Sequence, residues 1–136
     1  MNKSWIANGF TAANALFGGL SIMMSISGEY HVAAICILIA MAADAFDGRV
    51  ARALGTAGPM GVELDSLSDD ISFGVAAGAL MYSYQLRELG ALGFIPCALL
   101  GAFCAFRLAR FNVKVTSVHG YFEGLPCPTV GVIIAC

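Results

Sequence analysis

The sequence predicts an all-α, polytopic transmembrane helix bundle, and three observations carry that prediction. Of the 136 residues, 59% are hydrophobic and only 12% charged, about half the charged share usual in a soluble domain. The mean hydropathy is +0.81, so the bilayer rather than water is the expected solvent. The apolar residues come in long runs separated by short polar or glycine-bearing turns, as membrane-crossing helices require. Four complete helices and the start of a fifth are expected, all in one membrane domain spanning residues 1–136. The last run stops at Cys136, too short to cross a bilayer, so the sequence is expected to be truncated at its carboxyl end.

The first helix occupies the uncharged run from Ser4 to Gly28. Asn8, Thr11, Asn14, Gly18 and Ser21 recur there every three or four residues and fall on one stripe. At the outer end the stripe suits a helix-packing seam. Near the amino end, Asn and Thr carry more polarity than packing needs, which suits a ligand-facing role. After a turn at Gly28, Glu29 and Tyr30, the second helix starts near His31 and continues through the acidic stretch to Leu54. Gly55, Gly58 and Pro59 then break it. The third helix starts around Met60 to Leu64 and runs to about Tyr84, with Gly74 and Gly78 as a small-xxx-small pair for close packing. Gln85 to Gly90 is a polar turn. The fourth helix runs from about Ala91 to Val113, with Pro96 loosening one turn near its outer end. Asn112 to Gly124 is a polar connection, and Leu125 opens the fifth run.

Orientation follows from the basic residues. With the amino end cytoplasmic, Lys3, Arg49, Arg52, Arg107, Arg110 and Lys114 fall on the cytoplasmic side and only Arg87 falls outside. Trp5, Tyr30, Tyr82 and Tyr84 lie near predicted helix ends, as interfacial aromatics do. A formal net charge of −2 excludes the basic face of a nucleic-acid binder. The five cysteines are scattered without paired spacing and read as free thiols rather than a disulfide framework or a zinc site. No cleavable signal peptide is expected, because the first run is too long and carries polar residues at helical spacing.

Against this apolar background, four aspartates stand at regular spacing between Asp44 and Asp69. Asp44, Asp47, Gly48 and Ala51 share one face of the second helix. Gly61, Asp65 and Asp69 share one face of the third. A tight turn between antiparallel helices brings the two faces together, so that four carboxylates converge with Gly48, Ala51 and Gly61 leaving room beside them. Like charges so close repel, and burial adds to the cost. Binding hard divalent cations such as Mg²⁺, Mn²⁺ or Ca²⁺ removes it. Two such ions could clamp a pyrophosphate for in-line displacement at phosphorus, and Arg52 would help hold a phosphate. A cation pathway is the alternative from another class, since intramembrane acids often mark transport. It leaves the accompanying glycines unexplained.

The pattern D-x-x-D-G-x-x-A-R-x8-G-x-x-x-D-x-x-x-D resembles the signature of the CDP-alcohol phosphotransferases, integral membrane enzymes of phospholipid synthesis. All eight fixed positions are present: Asp44, Asp47, Gly48, Ala51, Arg52, Gly61, Asp65 and Asp69. Asp70 lies outside the pattern and reads as a solvated neighbour. The resemblance implies that Asp44, Asp47, Asp65 and Asp69 hold two divalent metals. It also makes Asp69 the general base toward the acceptor alcohol, and places Gly48, Ala51, Arg52 and Gly61 at the CDP moiety. The family often has Ser or Thr where Gly58 stands here, with Thr56 nearby as a substitute contact.

The amino end, with Asn8, Thr11 and Asn14, resembles the P-N-x-x-T-x-x-N opening of the phosphatidylserine synthase branch, with Ala7 in place of the proline. Glu63 to Leu67, Ser72 to Gly74, Arg107 to Asn112 and Phe122 to Pro126 resemble that branch too. The resemblance implies CDP-diacylglycerol and L-serine as substrates, Asn8 and Thr11 at the CDP-lipid, and a homodimer in the bilayer. The asymmetry of basic residues is what predicts an active site facing the cytoplasm. Other acceptors within the family are glycerol phosphate and inositol phosphate. Arg107 and Arg110 are candidates for the serine carboxylate or the lipid phosphate, or for positive-inside anchoring. Phe122 to Pro128 is either a loop beside the site or a plain connector.

Overall fold

The computed structural model describes residues 4–55, 59–117 and 133–134. Helix α1 spans Ser4–Ser27, α2 Tyr30–Leu54, α3 Pro59–Asp69, α4 Ala76–Tyr84 and α5 Ala91–Ser117. Between α3 and α4 the chain stays helical but widens into a π-helical turn, Asp70–Val75. The predicted third helix is therefore one path with two α-helical halves. Among the described residues, three helices contain segments long and apolar enough to cross a membrane, Asn8–Ser27, Tyr30–Val50 and Ala91–Val113. The described helices form an all-α bundle of an integral membrane protein.

The turns fall where the sequence lacks side-chain bulk. Gly28 takes φ +86° between α1 and α2, Gly55 φ +62° after α2, and Gly90 φ +59° before α5, a left-handed region that disfavours other residues. Pro59 opens α3 instead of ending the break, because a first-turn proline forgoes no helical hydrogen bond. Pro96 lies inside α5 without ending it. Helix α5 also runs on to Ser117, beyond the expected Val113, so part of the predicted polar connection is helical. Of the predicted fifth run, only 133–134 lie within the described residues.

The core mixes small residues, which let the helices approach closely, with a few large apolar ones. Ala33, Ile37, Phe73, Ala76, Ala77, Leu80 and Cys104 form it, while Leu16, Met23, Ile35, Phe103 and Phe106 point outward. Gly78 faces α5 so closely that a Cβ there would sit 2.9 Å from the Cys97 carbonyl oxygen. At the end of the bundle away from the acidic residues Tyr30 and Tyr84 meet edge to face at 5.5 Å, and Tyr82 stacks on Phe94 at 4.1 Å. Among the described residues, Cys36, Cys97 and Cys104 form no disulfide.

Helix α1 lies against α2, α3, the π turn and α4, and its polar stripe serves two purposes along its length. Toward its carboxyl end it is a seam: buried Ser21 donates to the Ala33 carbonyl at 2.9 Å, and Gly18 admits Ser72. Replacing Ser21 with Ala should cost about 0.5–1.5 kcal/mol. Thermal unfolding in detergent should show a small drop in Tm with activity retained. Toward the amino end the stripe faces the acidic residues.

Candidate active site

Helices α2 and α3 each present a row of carboxylates, because i, i+3 and i+4 positions share a face. One carboxylate oxygen from each of Asp44, Asp65 and Asp69 lies within 4.8 Å of the others. Asp69 is buried, while Asp44 and Asp65 are half-buried. Asp47 stands outside this group of three. It is also buried, and its Oδ2 accepts a hydrogen bond from the Thr11 hydroxyl. The four aspartates thus divide into a cluster of three and a fourth carboxylate fastened to α1.

Pairs of ionised carboxylates about 5 Å apart repel by roughly 3 kcal/mol each at an effective dielectric of about 20. A cation among them reverses the sign of that term. The donor set is all oxygen, from three acidic side chains on two helices, and it fits a hard divalent ion.

The residues beside the cluster come from three helices. Asn14 is fully buried and donates from Nδ2 to Asp69 Oδ1 at 3.1 Å. Ser72, on the π turn, lies 2.7 Å from Asn14 Oδ1 and 2.9 Å from the Asn14 carbonyl oxygen, donating to them. Half-buried Asn8 and Gly61 face each other, with Asn8 Oδ1 4.0 Å from where a Gly61 Cβ would stand. Gly48 is half-buried on α2, next to Asp47. Ala51 and Arg52 continue the α2 backbone, but their side chains lie outside the described residues, as do Thr56 and Gly58. The loop from Phe122 to Pro128 is likewise outside them.

On α5, Arg107 is half-buried and Arg110 exposed. Their end of the helix is tied to α3, because Asn112 Nδ2 donates to Ser66 Oγ at 2.9 Å. Ser66 directly follows Asp65, so the arginine-bearing end of α5 sits beside the acidic half of α3. Asp70 is not simply solvated. Its Oδ1 is buried without a hydrogen-bond partner among the described residues. That oxygen lies beside Gly74, where a Cβ would stand 2.7 Å from it and 3.2 Å from Cys104 Cβ on α5.

The sequence marked Asn14 as part of the polar stripe and of the amino-terminal N-x-x-T-x-x-N resemblance, and Ser66 and Ser72 only as members of resembling segments, with no individual role for any of the three. The spacing of Asn14 from Thr11 was a usable signal, since both reach the acidic face. Ser72 had none, because its direction depends on the π turn.

Comparison with known proteins bears on what this arrangement serves. The chain is 38% identical over 128 residues to a Helicobacter pylori protein named CDP-diacylglycerol–serine O-phosphatidyltransferase, covering 93% of this chain and 54% of that one. A Bacillus subtilis protein of the same name is 37% identical over 125 residues, covering 91% and 70%. An archaetidylserine synthase of Methanothermobacter thermautotrophicus is 40% identical over 124 residues, covering 90% and 52%. The chain therefore spans about half the length of the first and third of these relatives. No solved structure matches it. The sequence model of one family matches residues 4–136, a span that takes in both carboxylate rows and the helix that fastens them. By that match and these identities, the chain belongs to the CDP-alcohol phosphatidyltransferase family.

Proposed function

We propose that the protein transfers a phosphatidyl group from CDP-diacylglycerol to the hydroxyl of L-serine, giving phosphatidylserine and CMP. The observation that carries this reading is the approach of Asp44, Asp65 and Asp69 to within 4.8 Å, from two helices, in a membrane bundle. Dependence on metal is general in this family, and the cluster suits it. Two divalent ions, Mg²⁺ or Mn²⁺ (Ca²⁺ is a further candidate), would bind at Asp44, Asp47, Asp65 and Asp69. Bound there, they would neutralise the pyrophosphate and the charge that develops on its oxygens.

The residues of the chain supply the rest. Asp69 takes the proton of the serine hydroxyl. The serine oxygen forms a bond to the phosphorus that bears the diacylglycerol, and the bond to the bridging oxygen breaks, so that CMP leaves with that oxygen. Gly48, Ala51 and Gly61 leave space for the nucleotide, Arg52 holds phosphate, and Asn8 faces the same space across from Gly61. Thr11 acts through Asp47, whose orientation it fixes. Arg107 and Arg110 would meet the serine carboxylate, an ion that needs a cation to leave water. Holding the alcohol and the diphosphate in line is most of the catalysis such a transfer needs.

The excess of basic residues at the acidic end supports an active site on the cytoplasmic side. The protein would act there as a homodimer. The printed names of the relatives agree on serine and differ in the lipid, which supports the acceptor more firmly than the donor.

The test gives the purified protein CDP-diacylglycerol and labelled serine, glycerol phosphate or inositol phosphate, with and without a chelator. Labelled phosphatidylserine and stoichiometric CMP should appear with serine alone and vanish with chelation. Preference for another alcohol overturns the acceptor assignment. Ion flux without CMP release would favour a transporter instead.

A further inference from the structure

We propose that Asn14, held by Ser72, is a positioning residue that fixes the Asp69 carboxylate for cation binding. The inference rests on the metal-site reading of Asp44, Asp65 and Asp69.

Asn14 and Ser72 are both fully buried. They come from different helices and meet beneath Asp69. The Asn14 amide has two ends with opposite chemistry, and each has a matching partner. Nδ2, which can only donate, faces Asp69 Oδ1 at 3.1 Å. Oδ1, which can only accept, faces the Ser72 hydroxyl at 2.7 Å. Asp69, which when ionised can only accept, sets the direction of the amide, since turning it over would set two acceptor oxygens against each other. The Ser72 hydroxyl holds the other end of the amide in that direction. With one oxygen tethered, the Asp69 carboxylate loses its freedom to rotate about its last bond. An acid repelled by Asp44 and Asp65 would otherwise swing away from them before a cation arrives.

Two features of the backbone bring Ser72 to this place. The π turn carries it, and Ser72, Phe73 and Gly74 are consecutive and all buried. Gly18 on α1 lets it come close, since a Cβ there would stand 2.9 Å from Ser72 Cα. A residue that hydrogen-bonds a metal ligand typically contributes about ten- to a hundredfold in metal affinity.

The probe is Mn²⁺ alone, titrated into the whole protein in detergent without substrate and followed by loss of the free-ion paramagnetic resonance signal. Asn14→Leu keeps the branching and removes the amide, leaving the Ser72 hydroxyl its backbone acceptor. Its dissociation constant for Mn²⁺ should rise about tenfold. Ser72→Ala should raise it about threefold, less because Ser72 acts at one remove. In the Asn14→Leu background, Ser72→Ala should add nothing, because the residue through which it acts is gone.

Unchanged Mn²⁺ affinity in Asn14→Leu overturns the proposal, as does a full additive effect of Ser72→Ala in the double variant. Should Asn14→Leu fail to fold, Ser72→Ala decides alone, with unchanged affinity counting against the proposal. A wild-type protein that binds no Mn²⁺ would overturn the metal-site reading itself, a result distinct from either of these.

Discussion

Asp69→Asn is expected to abolish CMP release from CDP-diacylglycerol while leaving the bundle folded. Removing a positioned general base costs about 10²–10⁴-fold in rate, and losing a metal-binding carboxylate adds to that. The substitution is nearly isosteric, and the new amide oxygen can still accept from Asn14, which donates at 3.1 Å in the native protein. In metal-free buffer the variant should melt at or above the wild-type temperature. Two of the three close carboxylate pairs include Asp69, and each contributes roughly 3 kcal/mol of repulsion when both partners are ionised. Loss of turnover together with retained or raised Tm would mark Asp69 as a residue held for chemistry at the expense of stability. Turnover near the wild-type rate would remove Asp69 from the reaction. A fall in Tm would mean that the carboxylate supports the fold instead.

The second large effect is expected from a single methyl group. In Gly18→Ala the new Cβ would lie 2.5 Å from Ser72 Oγ and 2.9 Å from Ser72 Cα. The hydroxyl could rotate, but the backbone atom cannot yield without moving the helix that carries it. Overpacking of this kind costs about 1–3 kcal/mol. Because Ser72 also touches Asn14, the displacement reaches the acidic cluster, so activity should fall by more than the stability loss explains. Gly19 is its control. A Cβ at Gly19 meets nothing within 4 Å, so Gly19→Ala should be neutral or stabilising by about 0.5–1 kcal/mol through helix propensity. Thermal unfolding and CMP release measured on both variants would check the pair. Equal behaviour at the two positions would mean that the α1 contact with Ser72 is not tight in the membrane.

The contrast between these adjacent glycines marks how far the sequence could be read. The helices were legible because apolar runs of membrane length are difficult to build in any other way. Asp65 and Asp69 share a face by helical spacing alone, and Asp44 meets them from α2. That Asp47 turns to Thr11 was not legible, since it depends on the rotation of α1 about its own axis. The same rotation decides that Gly18 is a contact and that Gly19 has open space beside it. Neither Asn14 nor Ser72 carried a signal strong enough to pair them, as they stand 58 positions apart and meet only through tertiary packing. The extension of α5 to Ser117 was hidden by polar residues that look like a linker, although Asn112 is engaged by Ser66 on α3.

The π turn at Asp70–Val75 has a further consequence. A turn of this kind takes up one more residue than an α-helical turn. The segments on either side keep nearly the phase they would have in a regular helix one residue shorter. The acidic half and the apolar half of this helical path are therefore set by separate clocks. Ligand geometry on one side can be held constant while the other half is fitted to α5.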